Sequence, residues 1–269
     1  MVPDSSWFDP VLQAHLHTGA NAIEAVMNMP DGSMIATDIE TPGLVDTFTL
    51  NCVTAAWHDA TGRMHSVLLD PRRTHGHLAA VADMYERASA IVLHNAPFDV
   101  PPLHHAGMLT LDQIDKVVDT IVLARFAYPD SYGPMGSKKL ENLAVRLLGM
   151  TEFKGGMELA FKAAGYRTQQ AGYEGMDIDA PVYRFGTMAD TIATLRLEPV
   201  LREHCIAHTL DHPFVDHGAT TRAEAEAILA VPEINHRVMM RRSARGLAVD
   251  LAFLERYQAL KQQKQQMDF

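Results

Sequence analysis

The chain predicts an α/β fold in which a mixed sheet is flanked by helices and followed by a short helical segment. Three observations carry that prediction. Short apolar runs bounded by turn residues fill the stretch before Thr120, whereas helical patterns dominate after it. Two of the β-rich runs are separated by Asp59-Ala60-Thr61-Gly62, the spacing of an antiparallel hairpin, so the sheet is not strictly parallel. Several of the runs end in polar residues, as strands do where they leave a sheet edge.

Taken in order, the pattern from Pro10 to Val26 predicts an N-terminal helix, and Met29-Pro30-Asp31-Gly32 predicts a turn. Ser33 to Glu40 reads as a buried strand ending in carboxylates. Thr47 to His58 and Met64 to Asp70 form the predicted hairpin, followed by a helix over Thr74 to Ala88. The apolar run Ala90 to Leu93 is a further buried strand that leads into His94-Asn95-Ala96-Pro97-Phe98-Asp99, and Lys116 to Asp119 is one more short strand. Helices are predicted over Lys138 to Leu148, Met157 to Ala164 and Pro181 to His208, where Pro181 suits the first helical turn. Pro213, Gly218 and short polar residues interrupt the pattern between His212 and Thr221. A boundary there divides the chain into residues 1–215 and a helical segment, 216–269. That segment predicts helices over Arg222 to Leu229, Glu233 to Arg245 and Asp250 to Gln265. The last is so polar that it reads as a chain cut short, or as ending where a partner begins.

Composition narrows the functional classes. With 269 residues, 47% of them hydrophobic and 21% charged, the chain is globular. No apolar run approaches the roughly 20 residues of a membrane span, and the N-terminus carries acids where a secretory signal has basic residues, so a cytoplasmic protein is expected. Two cysteines, Cys52 and Cys205, build neither a disulfide framework nor a zinc site and are expected to be buried. A net charge of −10 argues against a basic protein that coats nucleic acid nonspecifically. The first 60 residues hold eight acids and no Lys or Arg. Clustered carboxylates repel one another unless protonated or shared by a cation, so this bias fits either a hard divalent metal or a solvated surface.

The acids with the best placement are Asp38 and Glu40. At i and i+2 of a strand they point to one face. Asp99 follows the end of the next predicted buried strand, where it can meet that pair at the same sheet edge. Asp190 interrupts an apolar helix, where a buried acid is costly unless paired or metal-bound. Four such acids could hold two cations.

The segments IATDIETPGL, IVLHNAPFDVPPL and MADTIATLRL resemble, in order and spacing, the three exonuclease motifs of the DEDD superfamily. The form is that of the proofreading domain of family A DNA polymerases. VVDTIVLARFAYPD and KKLENLAVRLLG resemble the segment by which those domains run from an Asp-Thr into a helix beside the DNA. EINHRVMMRRSARGLAVDLAFLERY resembles the helical stretch that joins exonuclease and polymerase domains. The likeness spans roughly Met34 to Tyr257. It implies a ribonuclease H-like fold and a 3′-5′ exonuclease acting on single-stranded DNA ends. Asp38, Glu40, Asp99 and Asp190 would hold two Mg²⁺ or Mn²⁺ ions. Asn95 and Phe98 would contact the terminal nucleotide, Phe98 reading equally as a core residue, and a polymerase domain in cis or in trans would be the partner. Apart from the resemblance, Lys138 and Lys139 open a helix where they could touch phosphates or simply be solvated. An RNase D-like RNA exonuclease and a degenerate domain that only holds a primer end are the alternatives.

One position departs from the family pattern. A Tyr stands four residues before the last Asp in one subtype and a His five before it in another; this chain has Gly186 and Phe185 there. Tyr183 is the nearest replacement, but helical side chains lean toward the N-terminus, and that lean carries Tyr183 away from Asp190. The position therefore reads as unfilled. His204, His208 and His212, four residues apart, form at best a weak zinc face.

Overall fold

The computed structural model describes residues 4–43, 47–73, 75–129, 135–151, 156–211, 218–246, 250, 252–258 and 261. Its centre is a seven-stranded mixed sheet in the order β1-β2-β5-β4-β3-β6-β7. The strands are β1 (Ser5–Asp9), β2 (Ala14–Thr18), β3 (Met34–Glu40), β4 (Cys52–His58), β5 (Met64–Leu69), β6 (Ala90–Leu93) and β7 (Val117–Asp119). β3, β4 and β5 are antiparallel neighbours, while β6 and β7 join β3 in parallel. The expected hairpin is therefore β4–β5, turned at Asp59, whose carboxylate accepts from the Thr61 and Arg63 backbone N–H groups (2.8 and 3.0 Å). β4 begins at Cys52, later than expected.

Helices cover both faces. On one side lie α1 (Ala20–Met27), α2 (His75–Arg87) and α3 (Ala96–His105), packed on Ile35, Trp57, Val67 and Ile91. On the other lie α4 (Thr120–Ala127), α5 (Leu140–Leu148), α6 (Gly156–Ala163), α7 (Gln169–Gly175) and the long α8 (Pro181–Asp211), packed on Ala36, Cys52, Ala56 and Leu68. Small residues on β4 and β5 let α8 approach the sheet closely: Thr54 Oγ1 donates to the Thr187 carbonyl (3.2 Å), and Ser66 Oγ meets Thr191 Oγ1 (3.4 Å). Both cysteines are buried, as expected.

The expected N-terminal helix is mostly strand. Ala14, Leu16 and Thr18 are buried while His15 and His17 are half-exposed, a period of two that pairs β2 with β1 and with β5. Only its last turns are helical, as α1, entered through Gly19 at φ +61, where Asp4 Oδ1 accepts from the Ala20 N–H (2.7 Å). In this hairpin His17 titrates low, at about 4, because burial and then the rings of His65 and His15 disfavour its charged form.

Helix α3 is hidden in the sequence by Pro101 and Pro102, which interrupt its hydrogen bonding; its packed face, Ala96, Val100 and Leu103, carries it through. Similarly, Pro232 does not split the C-terminal pattern, and one helix, α9 (Arg222–Arg245), runs through it. It opens with a capping box between Thr221 and Glu224. α9 docks along α3, α8 and β7: Arg237 Nε donates to the Val117 carbonyl (2.8 Å), Arg202 bridges Glu198 and Glu233, and Met240 enters the core. Of the expected boundary between His212 and Thr221, residues 212–217 lie outside the described residues, as do 251, 259–260 and 262–265 of the expected last helix; residues 252–258 are helical. Among the described residues no helix is long and apolar enough to cross a membrane.

Candidate metal centre

Strand alternation places Asp38 and Glu40 on the α8 side of β3, next to the central strand pairing of Asp38 with Thr54. The approach of α8 brings Asp190 to them. Ligand oxygens of Asp38, Glu40 and Asp190 all lie within 4.8 Å of one another, and each residue is half-buried. Among the described residues this is the one group of three potential ligands so close together. Asp99, fully buried in the first turn of α3, accepts from the Ile39 N–H through Oδ1 (3.2 Å) and is hydrogen-bonded to Asp38. The structure thus brings together all four acids singled out in the sequence.

Crowding of acids shows in their protonation. Desolvation pushes Asp38 up to about 7, opposed by hydrogen bonds from Ile39 and Asp99. Glu40 is held well above the usual carboxylate range by desolvation, then by Asp38, Asp190 and Asp99. Asp99 and Asp190 are raised by desolvation and then by Asp38. Without a cation the cluster therefore retains protons near neutral pH. A divalent ion would remove the repulsion that keeps them there.

The turn after β6 carries the other predicted contacts. Asn95 is exposed at φ +73, a left-handed conformation held by Asp119, whose two oxygens accept from the Asn95 and Ala96 N–H groups (both 2.9 Å). Asp119 also caps α4 through the Ile121 N–H (2.9 Å) and binds His236 Nε2 of α9 (2.9 Å). Thr120 Oγ1 adds a bond to the Leu93 carbonyl (3.0 Å). The Asp-Thr of the sequence is thus the staple that fixes the β6–α3 turn against α4. Phe98, in the first turn of α3, is half-buried and packs against the core.

Asn95 also lines a cleft of about 840 Å³ with His94, Arg125, Tyr128, Lys138 and Lys139. Among the described residues its lining holds three cations and no carboxylate. Lys138 Nζ donates to the Met135 carbonyl and lies 5.9 Å from the centroid of the Tyr128 ring. A basic cleft thus adjoins the acidic cluster, linked by the first turn of α3 from Asn95 to Asp99.

Tyr183 is fully buried, edge-on to Tyr173 at a centroid separation of 6.3 Å. Burial and then Glu40 push its hydroxyl upward. The sequence pattern does not reveal Tyr173, which stands on the unexpected α7. Its ring packs on Phe161 at 4.9 Å, and its carbonyl accepts from Asn51 Nδ2 (3.3 Å). The Asn51 N–H in turn donates to the Glu40 carbonyl (2.6 Å). Burial pushes the Tyr173 hydroxyl upward too, and its acidic neighbours are Glu40, Asp190 and Asp38. A lone Tyr between two unremarked helical turns gives no signal in the sequence.

No protein-family model and no curated protein matches the chain. The fold and the site define an α/β protein whose mixed sheet is compatible with a ribonuclease H-like arrangement. Its acidic cluster could bind a metal ion.

Proposed function

We propose that the chain is a metal-dependent 3′-5′ exonuclease of the DEDD type that removes nucleotides from single-stranded DNA 3′ ends, in the manner of a polymerase proofreading domain. The observation that carries this reading is the convergence of Asp38, Glu40 and Asp190, with Asp99 bound to Asp38. These four acids come from the three segments that resemble the exonuclease motifs. The sheet order β5-β4-β3-β6-β7 supports a ribonuclease H-like core, with β1 and β2 added at its edge.

Carboxylate oxygens suit Mg²⁺ or Mn²⁺, which supply an activated water and neutralise charge on a scissile phosphate. The protein's own part is to hold the strand. Arg125, Lys138 and Lys139 attract its phosphates along the cleft, and the exposed Asn95 stands at the junction of cleft and cluster. The cluster then faces the terminal linkage instead of the backbone at large.

Incubating the chain with end-labelled single-stranded DNA and RNA of the same sequence, with Mg²⁺, Mn²⁺ or chelator, tests the proposal. Metal-dependent release of mononucleotides from DNA is expected. Preference for RNA favours an RNase D-like enzyme, and binding without cleavage leaves a degenerate domain that holds a primer end.

A further inference from the structure

The opposite face of the sheet carries three histidines that the proposed nuclease does not use, spaced more widely than the acidic ligands. His15 and His17 stand two apart on β2, so both point toward the α1 side. β2 pairs with β5 in a register that sets His15 beside His65. The rings of His15 and His17 each lie 5.3 Å, centroid to centroid, from that of His65. Nε2 of His17 and Nδ1 of His65 are 3.0 Å apart, in rings only 9° from parallel. Ring centroids separated by little more than that bond and the two ring radii make the contact head-on.

The outer nitrogens determine where the protons sit. Asp59 accepts from the Thr61 and Arg63 N–H groups, the Thr61 hydroxyl and Arg63 Nε, so it acts as an acceptor for His65 Nε2 as well (3.3 Å). His65 therefore carries its proton on Nε2 and presents a lone pair at Nδ1. His17 Nδ1 lies 2.9 Å from Ser6 Oγ, a hydroxyl able to donate or to accept. His17 can thus keep its single proton on Nε2, shared with His65, or on Nδ1, donated to Ser6. In the second tautomer two lone pairs face each other across the 3.0 Å gap. Two imidazole nitrogens about 2.0–2.1 Å from a tetrahedral ion are roughly 3.3 Å apart, with lone pairs that converge on the ion instead of facing each other, so the two head-on rings must each swing by roughly 35° to admit it.

We propose that His15, His17 and His65 bind a divalent transition metal of the zinc class, the ion taking the place of the proton shared by His17 and His65. His15 completes the set by turning its ring from Phe8, which it touches at 5.2 Å. Asp59 and Ser6 already provide the hydrogen bonds that orient two of the ligands. His17 and His65 both line a cavity of about 370 Å³ together with Asn21, Glu24, Asn28 and Arg63. Imidazole donors select such ions over Mg²⁺, so the two faces of the sheet take different cations.

Calorimetric titration of the full chain with Zn²⁺ in excess Mg²⁺, repeated with Co²⁺ as an absorbing probe, tests this. One Zn²⁺ per chain and the visible bands of four-coordinate Co²⁺ are expected. Both should persist in Asp38→Asn, weaken about 10–100-fold in Ser6→Ala, and disappear in His17→Gln and His65→Gln. Thermal melts establish that the variants fold. If His65→Gln does not, His15→Gln is read in its place. Absence of Zn²⁺ binding in the wild type overturns the proposal, as does binding that survives the histidine variants or vanishes in Asp38→Asn. Because none of these readouts involves cleavage, failure here leaves the nuclease proposal standing, and the converse holds.

Discussion

One sheet presents two chemically opposed faces. Toward α8, β3 offers Asp38 and Glu40, and the helix supplies Asp190; toward α1, β2 offers His15 and His17, and β5 supplies His65. Each face uses residues two apart on a strand, completed from a neighbouring element. They differ in what offsets the crowding. The carboxylates repel one another, so protons or a hard cation must enter the cluster. His17 and His65 instead settle as neutral rings hydrogen-bonded in line, from Ser6 to Asp59, with His15 beside them. The carboxylate group therefore depends on something outside the protein, whereas the imidazole row is satisfied internally and binds an ion only by exchanging a proton position.

The largest effect that could break this comparison is loss of cleavage. Asp190→Asn should lower the single-turnover rate of metal-dependent DNA cleavage by on the order of 10³-fold or more, several kcal/mol of transition-state stabilisation, while Zn²⁺ binding at the hairpin is unchanged. Cleavage within a few fold of wild type would detach the acidic cluster from the chemistry.

Next in size is a tyrosine hydroxyl with the carboxylates among its acidic neighbours. Gly186 leaves the expected position on α8 without a side chain that can orient water, and Tyr183 is enclosed in the core. Tyr173, on α7, has all three of Asp38, Glu40 and Asp190 as acidic neighbours. Tyr173→Phe should reduce the rate about 10²-fold, the low end of what a positioned proton-transfer group contributes, and Tyr183→Phe should reduce it by less than about twofold. Restoration of rate in Gly186→Tyr,Tyr173→Phe would show that one hydroxyl replaces the other. Equal effects of the two Phe variants would mean that both act through packing.

Legibility in the sequence follows the same division. The acids stand out because Asp and Glu inside apolar runs conflict with their surroundings, and their spacing matches strand alternation. The central strands are equally plain, since buried β-branched runs between turn residues have few other interpretations. The histidines do not stand out. In the stretch from Pro10 to Val26, Ala14, Leu16, Ala22 and Val26 satisfy a helical and a strand period almost equally, and only pairing with β5 decides between them. Proline misleads in both directions, hiding α3 and dividing α9, because tertiary packing outweighs local propensity. Asp119 is visible in the sequence only as half of an Asp-Thr pair, because its four hydrogen bonds to α3, α4 and α9 depend on elements distant along the chain.

A smaller effect concerns the basic cleft. Arg125→Ala and Lys139→Ala should each weaken binding of a non-cleavable single-stranded oligonucleotide and lower the salt slope of log K by about 0.7 for each phosphate no longer neutralised. Since Lys138 is already engaged with Met135 and Tyr128, Lys138→Ala should change the slope less. Identical slopes in all three variants would place the strand elsewhere.

The smallest effects, and the ones that test the comparison most directly, are in stability against pH, where the two faces carry opposite signs. Asp38 titrates higher in the folded protein than in the unfolded chain, at about 7 instead of 3.8. Its contribution is therefore fully present below the unfolded value and is lost as pH rises through 7. His17 titrates lower folded than unfolded, at about 4 instead of 6.5. Its contribution is present above 6.5 and is lost as pH falls through 4. Between about 4 and 6.5 the two slopes oppose and nearly cancel, so these two groups leave the melting temperature of metal-free protein nearly flat there. Asp38→Asn removes the falling slope, and the melting temperature should then rise from pH 4 to 6.5, by roughly 2–4 °C for each kcal/mol. Mg²⁺ should raise the melting temperature at pH 8 by binding the ionised cluster, with little effect at pH 5, where protons already occupy it. His17→Gln should instead leave the melting temperature falling as pH rises from 4 to 7. If the profile of Asp38→Asn,His17→Gln departed from the sum of the two single changes, the two faces would be coupled through the sheet instead of titrating independently.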